Sequence, residues 1–288
     1  MLPWIARARH SLTVRPARRS DSPAINQMLQ SSLHSHLHLD WRPATNWIGH
    51  ATAFVAESRY GLVGCLICPA DPPPAAWVRA AAANDGGPPA GVMQPLFDAC
   101  LPALAAQGIA TLSAMPTEPW LPPILDELGF AIVERVESWG KVGLKSPRRG
   151  SPEVQVRPAR RPDITHLAHI AQAAFAPRWQ LGAETLALAW QQAATFSVAE
   201  QGKSKVGFQI SLARGEQAHL VHLTVHPAAQ GRGVGSRLLA DALNRYATLG
   251  LTHVSLNTQS NNTASHRLYK AFGFQRVSSP LPVWERAV

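Results

Sequence analysis

A duplicated phrase is the feature that most constrains what this chain can fold into. The stretch VRPARRSD at 14–21 returns as VRPARRPD at 156–163. Three further matches keep the same order at nearly the same spacing: 54–57 with 196–200, 107–114 with 249–256, and 128–130 with 272–274. Four matches in one order predict that the chain contains two copies of one domain.

Each copy is long enough to fold around its own core. The chain has 288 residues, of which 46% are hydrophobic and 16% are charged, so each half has sufficient apolar residues to bury. The segment 145–153, KSPRRGSPE, has the Pro, Gly, Ser and charges of a linker. We therefore predict a first domain over 11–145 and a second over 153–288.

The second copy alternates strand-like and helix-like segments. Strands are predicted at 154–158, 196–200, 205–213, 218–226 and 252–258, and helices from Pro162 and over 183–194, 234–249 and 263–271. Strand-like segments close the chain. This mixture predicts an α/β (α+β) fold, in which each copy has a mixed, mostly antiparallel sheet flanked by helices.

Several function classes are disfavoured by simple counts. No apolar run reaches the length of about 18 residues that crosses a bilayer, and the opening MLPWIARARH lacks the apolar stretch of a signal peptide. We expect a cytoplasmic protein with no membrane partner. Cys65 and Cys68 lack the second pair that a zinc site needs, so we expect buried small side chains. The run His34, His36 and His38 lacks carboxylates and is expected to be solvated, so no metal is predicted.

The net charge of +9 is concentrated in the second half. Residues 1–150 hold 13 basic and 11 acidic side chains, whereas residues 151–288 hold 14 and 7. This excess favours an anionic ligand in the second half. The basic residues are scattered, which disfavours a nucleic-acid surface. The sequence is compatible with a homodimer.

A glycine-rich loop separates a strand from a helix in the second copy. After LVHLTV comes AAQGRGVGSRLL, in which Gly231, Gly233 and Gly235 let the backbone turn tightly and approach a ligand. The loop leads into a helix start, where free N–H groups and the helix dipole favour an anion. Arg232 and Arg237 add positive charge. The pattern predicts a diphosphate cradle, with a turn that binds nothing as the alternative.

Two other nucleotide loops fit less well. A Walker loop needs Gly-Lys-Ser/Thr, but Gly235 is followed by Ser236 and Arg237. A dinucleotide fingerprint would place Ser236 at its third glycine, and residues 253–257 hold none of the acids that it requires.

At two motifs the second copy resembles the GNAT superfamily of acetyl-CoA-dependent N-acetyltransferases. The family pattern Gln/Arg-x-x-Gly-x-Gly/Ala is matched from Gln230 to Gly235, after a strand that ends in Val225. The second motif is matched by NTASHRLY at 262–269, followed by Gly273. The resemblance covers 153–288 and reaches the first half only through the repeat.

The resemblance implies acetyl-CoA as cosubstrate and assigns residues to it. The diphosphate would lie against Gln230, Gly231, Arg232, Gly233, Val234, Gly235 and Ser236. The strand before the loop would diverge from its neighbour and pair with the pantetheine arm through Leu223 and Val225. Asn262 and Ser265 of the second motif would lie along the arm, with Tyr269 near the sulfur.

The implied reaction is attack of an amine on a thioester. The backbone N–H of Val225 is the candidate donor to the oxyanion. A phenol has a pKa near 10 and is protonated at neutral pH, so Tyr269 is the candidate general acid. The alternative is that Tyr269 is only a core aromatic residue.

The candidate general base is chosen by comparing this chain with two groups of the GNAT superfamily. Ribosomal-protein alanine acetyltransferases carry a Glu where this chain has Asn257, which cannot act as a base. Histone and serotonin acetyltransferases carry a Glu or His where this chain has His219, and histidine titrates near neutral pH. His222 is the second choice, because it should face the opposite side of the strand unless a bulge intervenes.

The first copy lacks these features. Pro88 and Pro89 remove N–H donors where the cradle would lie, and Leu125 stands at the position of Tyr269. The sequence therefore predicts a tandem GNAT-like N-acetyltransferase with a degenerate first copy, acting on a primary amine of a small molecule or peptide. A non-catalytic CoA-binding or regulatory protein is the alternative, and the tandem form also resembles mycothiol synthase.

Overall fold

The computed structural model describes residues 12–288. The segment 1–11, on which the expectation of no signal peptide rests, lies outside these residues. The chain divides into two compact units: unit 1 runs to Ala131 and includes Trp284–Val288, and unit 2 comprises Ile132–Val283. Throughout 12–288, every helix is too short or too polar to cross a membrane.

The elements follow one another along the chain in two similar series. The first is β1 (Thr13–Pro16), α1 (Ser22–Ser31), β2 (His34–Leu37), β3 (Ala53–Ser58), β4 (Gly61–Ile67), β5 (Ala75–Trp77), β6 (Ala80–Ala83), α2 (Ala90–Ala105), β7 (Thr111–Ala114), α3 (Leu121–Glu127) and β8 (Ala131–Val142). The second is β9 (Val154–Pro158), α4 (Ile164–Ala174), α5 (Ala183–Gln192), β10 (Thr195–Gln201), β11 (Ser204–Arg214), β12 (Gln217–Val225), α6 (Val234–Thr248), β13 (His253–Gln259), α7 (Thr263–Ala271), β14 (Gln275–Arg276) and β15 (Leu281–Ala287).

Unit 1 has an antiparallel sheet of order β1-β3-β4-β6-β2. Beside it, β5 pairs in parallel with β7, and the end of β15 pairs with the other edge of β7. Helix α2 packs across this unit through Met93, Leu96 and Phe97, which are fully buried. Gly64 permits this packing, since a Cβ there would lie 2.3 Å from a methyl carbon of Val92.

Unit 2 has a mixed sheet of order β8-β13-β12-β11-β10-β9, with β14 on the outer edge of β8. The β12–β13 pair is parallel and the others are antiparallel. Helix α6 covers one face, where Tyr246 bonds to Ser211. The end of α4 covers the other face, where Phe175 contacts His222. The fold class predicted from the sequence is confirmed.

The elements predicted for the second copy are present, and most of their limits agree within one residue. The helix predicted at 183–194 ends earlier, at Gln192. The compact units have other limits than the predicted domains of 11–145 and 153–288. The strand that closes the first copy, β8, pairs with β13 in unit 2, while the end of β15 pairs with β7 in unit 1.

The duplicated phrase forms the same ion-pair cluster in each unit. In unit 2, Arg157 donates to Asp163 at 2.8 Å and to Glu200 at 2.6 Å. The hydrogen bond from Arg157 lowers the pKa of Asp163 to about 2. The equivalent residues Arg15, Asp21 and Glu57 make the same pairs in unit 1. In each unit this cluster joins the first strand, the start of the helix that follows and the strand that pairs with the first strand, which gives the repeated phrase the same structural role twice.

The expectation for the histidine run was wrong. His34–Leu37 is a strand rather than a solvated segment, because its backbone pairs with β6. His36 is 1% exposed, and its Nδ1 lies 3.1 Å from a carboxylate oxygen of Glu118. Within residues 12–288 the structure contains no cluster of three metal-ligating side chains. Cys65 and Cys68 are buried free thiols, as the sequence predicted.

Candidate functional site

The candidate site lies where two parallel strands of unit 2 part. The β12–β13 ladder runs only from Gln217↔His253 to Leu220↔Leu256. Strand β12 continues to Val225 and β13 to Gln259 without further pairing between them. The final segment of β12, after Leu220, therefore has an open edge on the β13 side.

Two residues of β12 direct their backbone groups toward this open edge. The amide of His226 bonds to the carbonyl of Val206 at 2.9 Å, next to the Gly207↔Val225 pair. Because bonding alternates along an antiparallel ladder, the N–H and C=O of Val225 point away from β11, and so do those of Leu223. The sequence singled out these same two residues for the pantetheine arm.

The glycine loop joins this edge to the start of α6. Gly231 and Gly233 have φ of +74° and +79°, in the left-handed region that glycine adopts without strain. The side-chain amide of Gln230 donates to the Val225 carbonyl at 3.2 Å, which ties the loop to the strand. The first amide of α6 that bonds back is that of Arg237, to Gly233 at 3.0 Å. The preceding amides form the donor end of the helix.

The remaining loop residues surround this donor end. Val234 is buried beneath it, Gly235 and Ser236 are half-buried, and Arg232 is exposed. In the described part of the chain, Nε of Arg237 is buried without a hydrogen-bond partner. A cationic side chain with an unused donor, at the first turn of a helix, fits an anionic ligand.

A buried polar network fixes α6 against the sheet. Ser211 donates to Gln209 at 2.8 Å, and Gln209 donates to Thr195 at 3.1 Å and Ser197 at 3.2 Å. The Tyr246 hydroxyl on α6 bonds to Ser211. Because every partner is buried and satisfied, the network holds the helix and its donor end in one position.

Helix α7 brings the second motif to the same region. Asn262 caps the helix, since its side-chain oxygen accepts from the amide of Ser265 at 3.0 Å. Tyr269 lies one turn further on, is 5% exposed, and contacts Phe274. Burial raises the pKa of Tyr269 to about 12, against a hydrogen bond from Ser265 that lowers it. The phenol is therefore protonated at neutral pH.

A β-bulge decides where the two candidate bases lie. Ile210 is opposite His222 and Ser211 is opposite Leu220, so the residue between them, Val221, has no partner. The extra residue turns His222 to the same face as His219. This is the exception that the sequence analysis allowed for, and His222 does not face the opposite side.

Both histidines are neutral at pH 7. Nδ1 of His219 lies 2.9 Å from the hydroxyl of Ser255, and burial lowers its pKa. The ring of His222 meets Phe175 edge-on, with 6.1 Å between centroids. Burial, aided by the neighbouring His219, lowers the pKa of His222 to about 4.

Three residues of this face were missed from the sequence. Ser255 holds His219, Phe175 covers His222, and Glu134 of β8 accepts from the indole N–H of Trp179 at 2.7 Å. Phe175 comes directly after α4 and belongs to neither of the two motifs that indicated the site. Nothing in the sequence indicated Glu134, because its strand belongs to the first copy.

Most of the site residues described above lie in a region of the chain that is similar to a known protein family. Residues 164–274 match the model of the acetyltransferase (GNAT) family. A mycothiol acetyltransferase of Sanguibacter keddieii is 33% identical over 96 residues, which span 31% of this chain and 30% of that relative. A [ribosomal protein bS18]-alanine N-acetyltransferase of Haemophilus ducreyi is 29% identical over 119 residues, 40% of this chain and 79% of the relative.

Solved structures extend the likeness in fold to the whole chain. A GCN5-related N-acetyltransferase from Sphaerobacter thermophilus matches with a TM-score of 0.61 and 12% identity, over 96% of this chain and 95% of that one. A tandem GNAT protein from the clavulanic acid biosynthesis pathway matches with a TM-score of 0.64 and 12% identity, over 96% and 98%. At this identity the likeness concerns the fold alone.

Proposed function

We propose, from the match of residues 164–274 to the model of the acetyltransferase (GNAT) family, that this chain is an acetyl-CoA-dependent N-acetyltransferase. The amine attacks the thioester directly, and the acceptor is a primary amine of a small molecule or a peptide. The reaction belongs to unit 2, and a cytoplasmic location stays a prediction. The relatives named above are acetyltransferases of mycothiol and of a ribosomal protein.

The observation that carries this proposal is the open edge of β12 beside the donor end of α6. On the open edge, the N–H and C=O of Leu223 suit the amides of a pantetheine arm in the manner of an added strand, and the N–H of Val225 lies next along the same edge. The amides before Arg237 and its unused Nε suit a diphosphate. Both occur on one continuous segment, so a single ligand can use both.

Acetyl-CoA supplies an acetyl group activated as a thioester. Of the two polar backbone groups of Val225 on the open edge, the carbonyl is bonded by Gln230, which leaves the N–H to donate to the oxyanion. Tyr269 donates its phenolic proton to the departing sulfur, since its raised pKa keeps that proton in place until the thiolate forms.

His219 is the base that we assign. Because the hydroxyl of Ser255 donates to the carbonyl of Ala218 at 3.5 Å, we assign the proton of His219 to Nδ1, as donor to Ser255, which leaves Nε2 with its lone pair to take a proton from the amine, directly or through water. His222 is enclosed by Phe175 and has the more strongly lowered pKa, so it is the poorer base. Asn257 is exposed on the adjacent strand and provides no base.

A turnover screen tests the proposal. The full chain with acetyl-CoA is assayed for free thiol against small amines, amino sugars and peptides with free amino termini. Transfer to at least one class, with one acetyl group gained per thiol released, is expected. Coenzyme binding without transfer to any amine would instead favour the non-catalytic CoA-binding protein, and absence of binding would refute both.

A further inference from the structure

Unit 1 has the same strand edge as the coenzyme site proposed for unit 2, but a strand of the chain itself occupies it. At the spacing of the repeat, which relates residue 14 to residue 156, the parallel pair Ala75↔Thr111 of unit 1 corresponds to Gln217↔His253 of unit 2. The parallel ladder ends at Trp77↔Ser113 in unit 1 and at Leu220↔Leu256 in unit 2. The two units therefore part their strands at nearly the same place.

Beyond this point, β6 of unit 1 corresponds to the open segment of β12. The amide of Asn84 bonds to the carbonyl of Val63 at 2.9 Å, in the same position as the bond that orients Val225. By the same alternation, Ala81 and Ala83 direct their N–H and C=O groups away from β4. At the spacing of the repeat, they are the equivalents of the two residues on the open edge of unit 2.

Strand β2 uses these groups. It pairs antiparallel with β6 in the register His34↔Ala83 and His36↔Ala81. Because both alanines face β2, these are the pairs that exchange N–H···O bonds. The equivalent segment of unit 2, 176–179, forms a 3-10 turn at Pro177–Trp179. Among the described residues, the edge of β6 in unit 1 is therefore paired with a strand, whereas no strand pairs with the corresponding edge of β12 in unit 2.

Side chains from the equivalent of α7 hold β2 in place. The indole of Trp120 donates to the carbonyl of Ser35 at 3.3 Å. Trp120 is the N-cap residue of α3, as Asn262 is of α7, and the two are related by the spacing of the repeat. Glu118 contacts His36, which is buried. The residue that replaces the predicted arm-binding Asn thus binds the backbone of the inserted strand.

The helix start of unit 1 is also unsuited to a diphosphate. Pro88 and Pro89 have no N–H, and after Ala90 the amides of Gly91 and Val92 are already bonded to the carbonyls of Pro88 and Pro89. This helix start therefore offers fewer free amides than the donor end that unit 2 provides before Arg237.

We infer that the segment His34–Leu37 takes, in unit 1, the place that the pantetheine arm takes in unit 2, so that the chain binds one coenzyme and binds it in unit 2. The inference rests on the proposed function for the identity of the ligand. Unit 1 then contains no second acetyl-transfer site.

Titration calorimetry of the full chain with acetyl-CoA measures the number of coenzyme-binding sites per chain. Gly231→Asp places a negative charge in the cradle, and Gly215→Asp, in the turn between β11 and β12, is its matched control. A Cβ at either glycine would meet no atom within 4 Å, and Asp tolerates their φ of +74° and +56°. We expect one site in the wild type and in Gly215→Asp, and a loss of affinity of at least about tenfold in Gly231→Asp.

Two results would overturn the inference: two sites per wild-type chain, or undiminished binding by Gly231→Asp. Amide exchange adds a readout that does not need the ligand. In the free chain the amides of Ala81 and Ala83 should exchange slowly and those of Leu223 and Val225 quickly. No binding at all would refute the proposed function. Slow exchange of the β6 amides would still support the pairing of β2 with β6 in unit 1. Fast exchange there would refute it.

Discussion

At the scale of single residues, Tyr269 is the most direct test of the chemistry. Tyr269→Phe removes the proton donor and keeps the buried ring, so we expect kcat to fall by about 10² while coenzyme affinity changes little. Steady-state kinetics and calorimetry measure the two. Tyr60→Phe, at an exposed site in unit 1, is the matched control. Unchanged kcat would remove Tyr269 from the mechanism.

His219 predicts the form of the pH profile. A base must be unprotonated, so kcat/KM should rise with pH through the pKa of His219 and then level off. Burial lowers that pKa, which places the rising limb below 6.5. His219→Gln should abolish this limb and most of the activity. A limb that persists in His219→Gln would assign it to another group.

Ser255 positions His219, and its effect is distinguishable from a loss of stability. Ser255→Ala should lower kcat and shift the rising limb, because Nδ1 of His219 loses its partner at 2.9 Å. Ser255→Thr keeps the hydroxyl and should restore the profile. If Ser255→Ala lowers thermal stability but leaves the limb in place, Ser255 has no role in catalysis.

His222 predicts how stability depends on acid. Its pKa is about 4 in the fold, below its ordinary value of 6.5. Between these values the unfolded chain binds the proton and the fold does not, so the free energy of unfolding falls as the pH is lowered from about 6.5 to 4. Denaturant unfolding at several pH values measures this. In His222→Gln the slope over this interval should be smaller, and an equal slope would contradict the assignment.

At the scale of elements, the sequence predicted those whose signal is local. The helices and strands of the second copy follow from apolar periodicity and from glycine, proline and acidic residues at their ends. The bulge at Val221 had no local signal, because it depends on the register with β11. Strand β2 was misjudged, since a short run of alternating histidines looks solvated until a pairing edge is known. The limits of most strands could therefore be predicted from the sequence, whereas the pairing between strands is known only from the structure.

The network beneath α6 is a prediction at the element scale. Tyr246→Phe removes the hydroxyl that bonds Ser211 and leaves a buried polar group short of a partner, which should cost about 1–2 kcal/mol of unfolding free energy. Chemical denaturation measures it. An unfolding free energy equal to that of the wild type would show that α6 is held by apolar packing alone.

At the scale of the whole molecule, the repeat predicted two domains, but it did not predict in which unit each strand finds its pairing partner. Each local signal in the sequence lies within one copy. The residues of β8 belong to the first copy, but this strand pairs with β13 in unit 2. For the same reason the sequence could not include Glu134 in the candidate site. Residues such as Val225 and Tyr269 were found because their motif lies within one copy.

This division predicts which fragment folds. A chain of residues 153–288 lacks β8 and exposes the outer edge of β13, so we expect it to be unstable or to aggregate. A chain of residues 132–283 keeps that strand and should unfold cooperatively. Size-exclusion chromatography and urea unfolding compare them. Equal stability of the two fragments would show that β8 is dispensable.

The crystal structure of the full chain with acetyl-CoA is the most direct measurement. The account predicts the pantetheine amides against the backbone of Leu223 and Val225, the diphosphate at the amides before Arg237, and the sulfur near the hydroxyl of Tyr269. Strand β2 should stay paired with β6. A coenzyme bound away from β12, or one that displaces β2 from unit 1, would contradict the account.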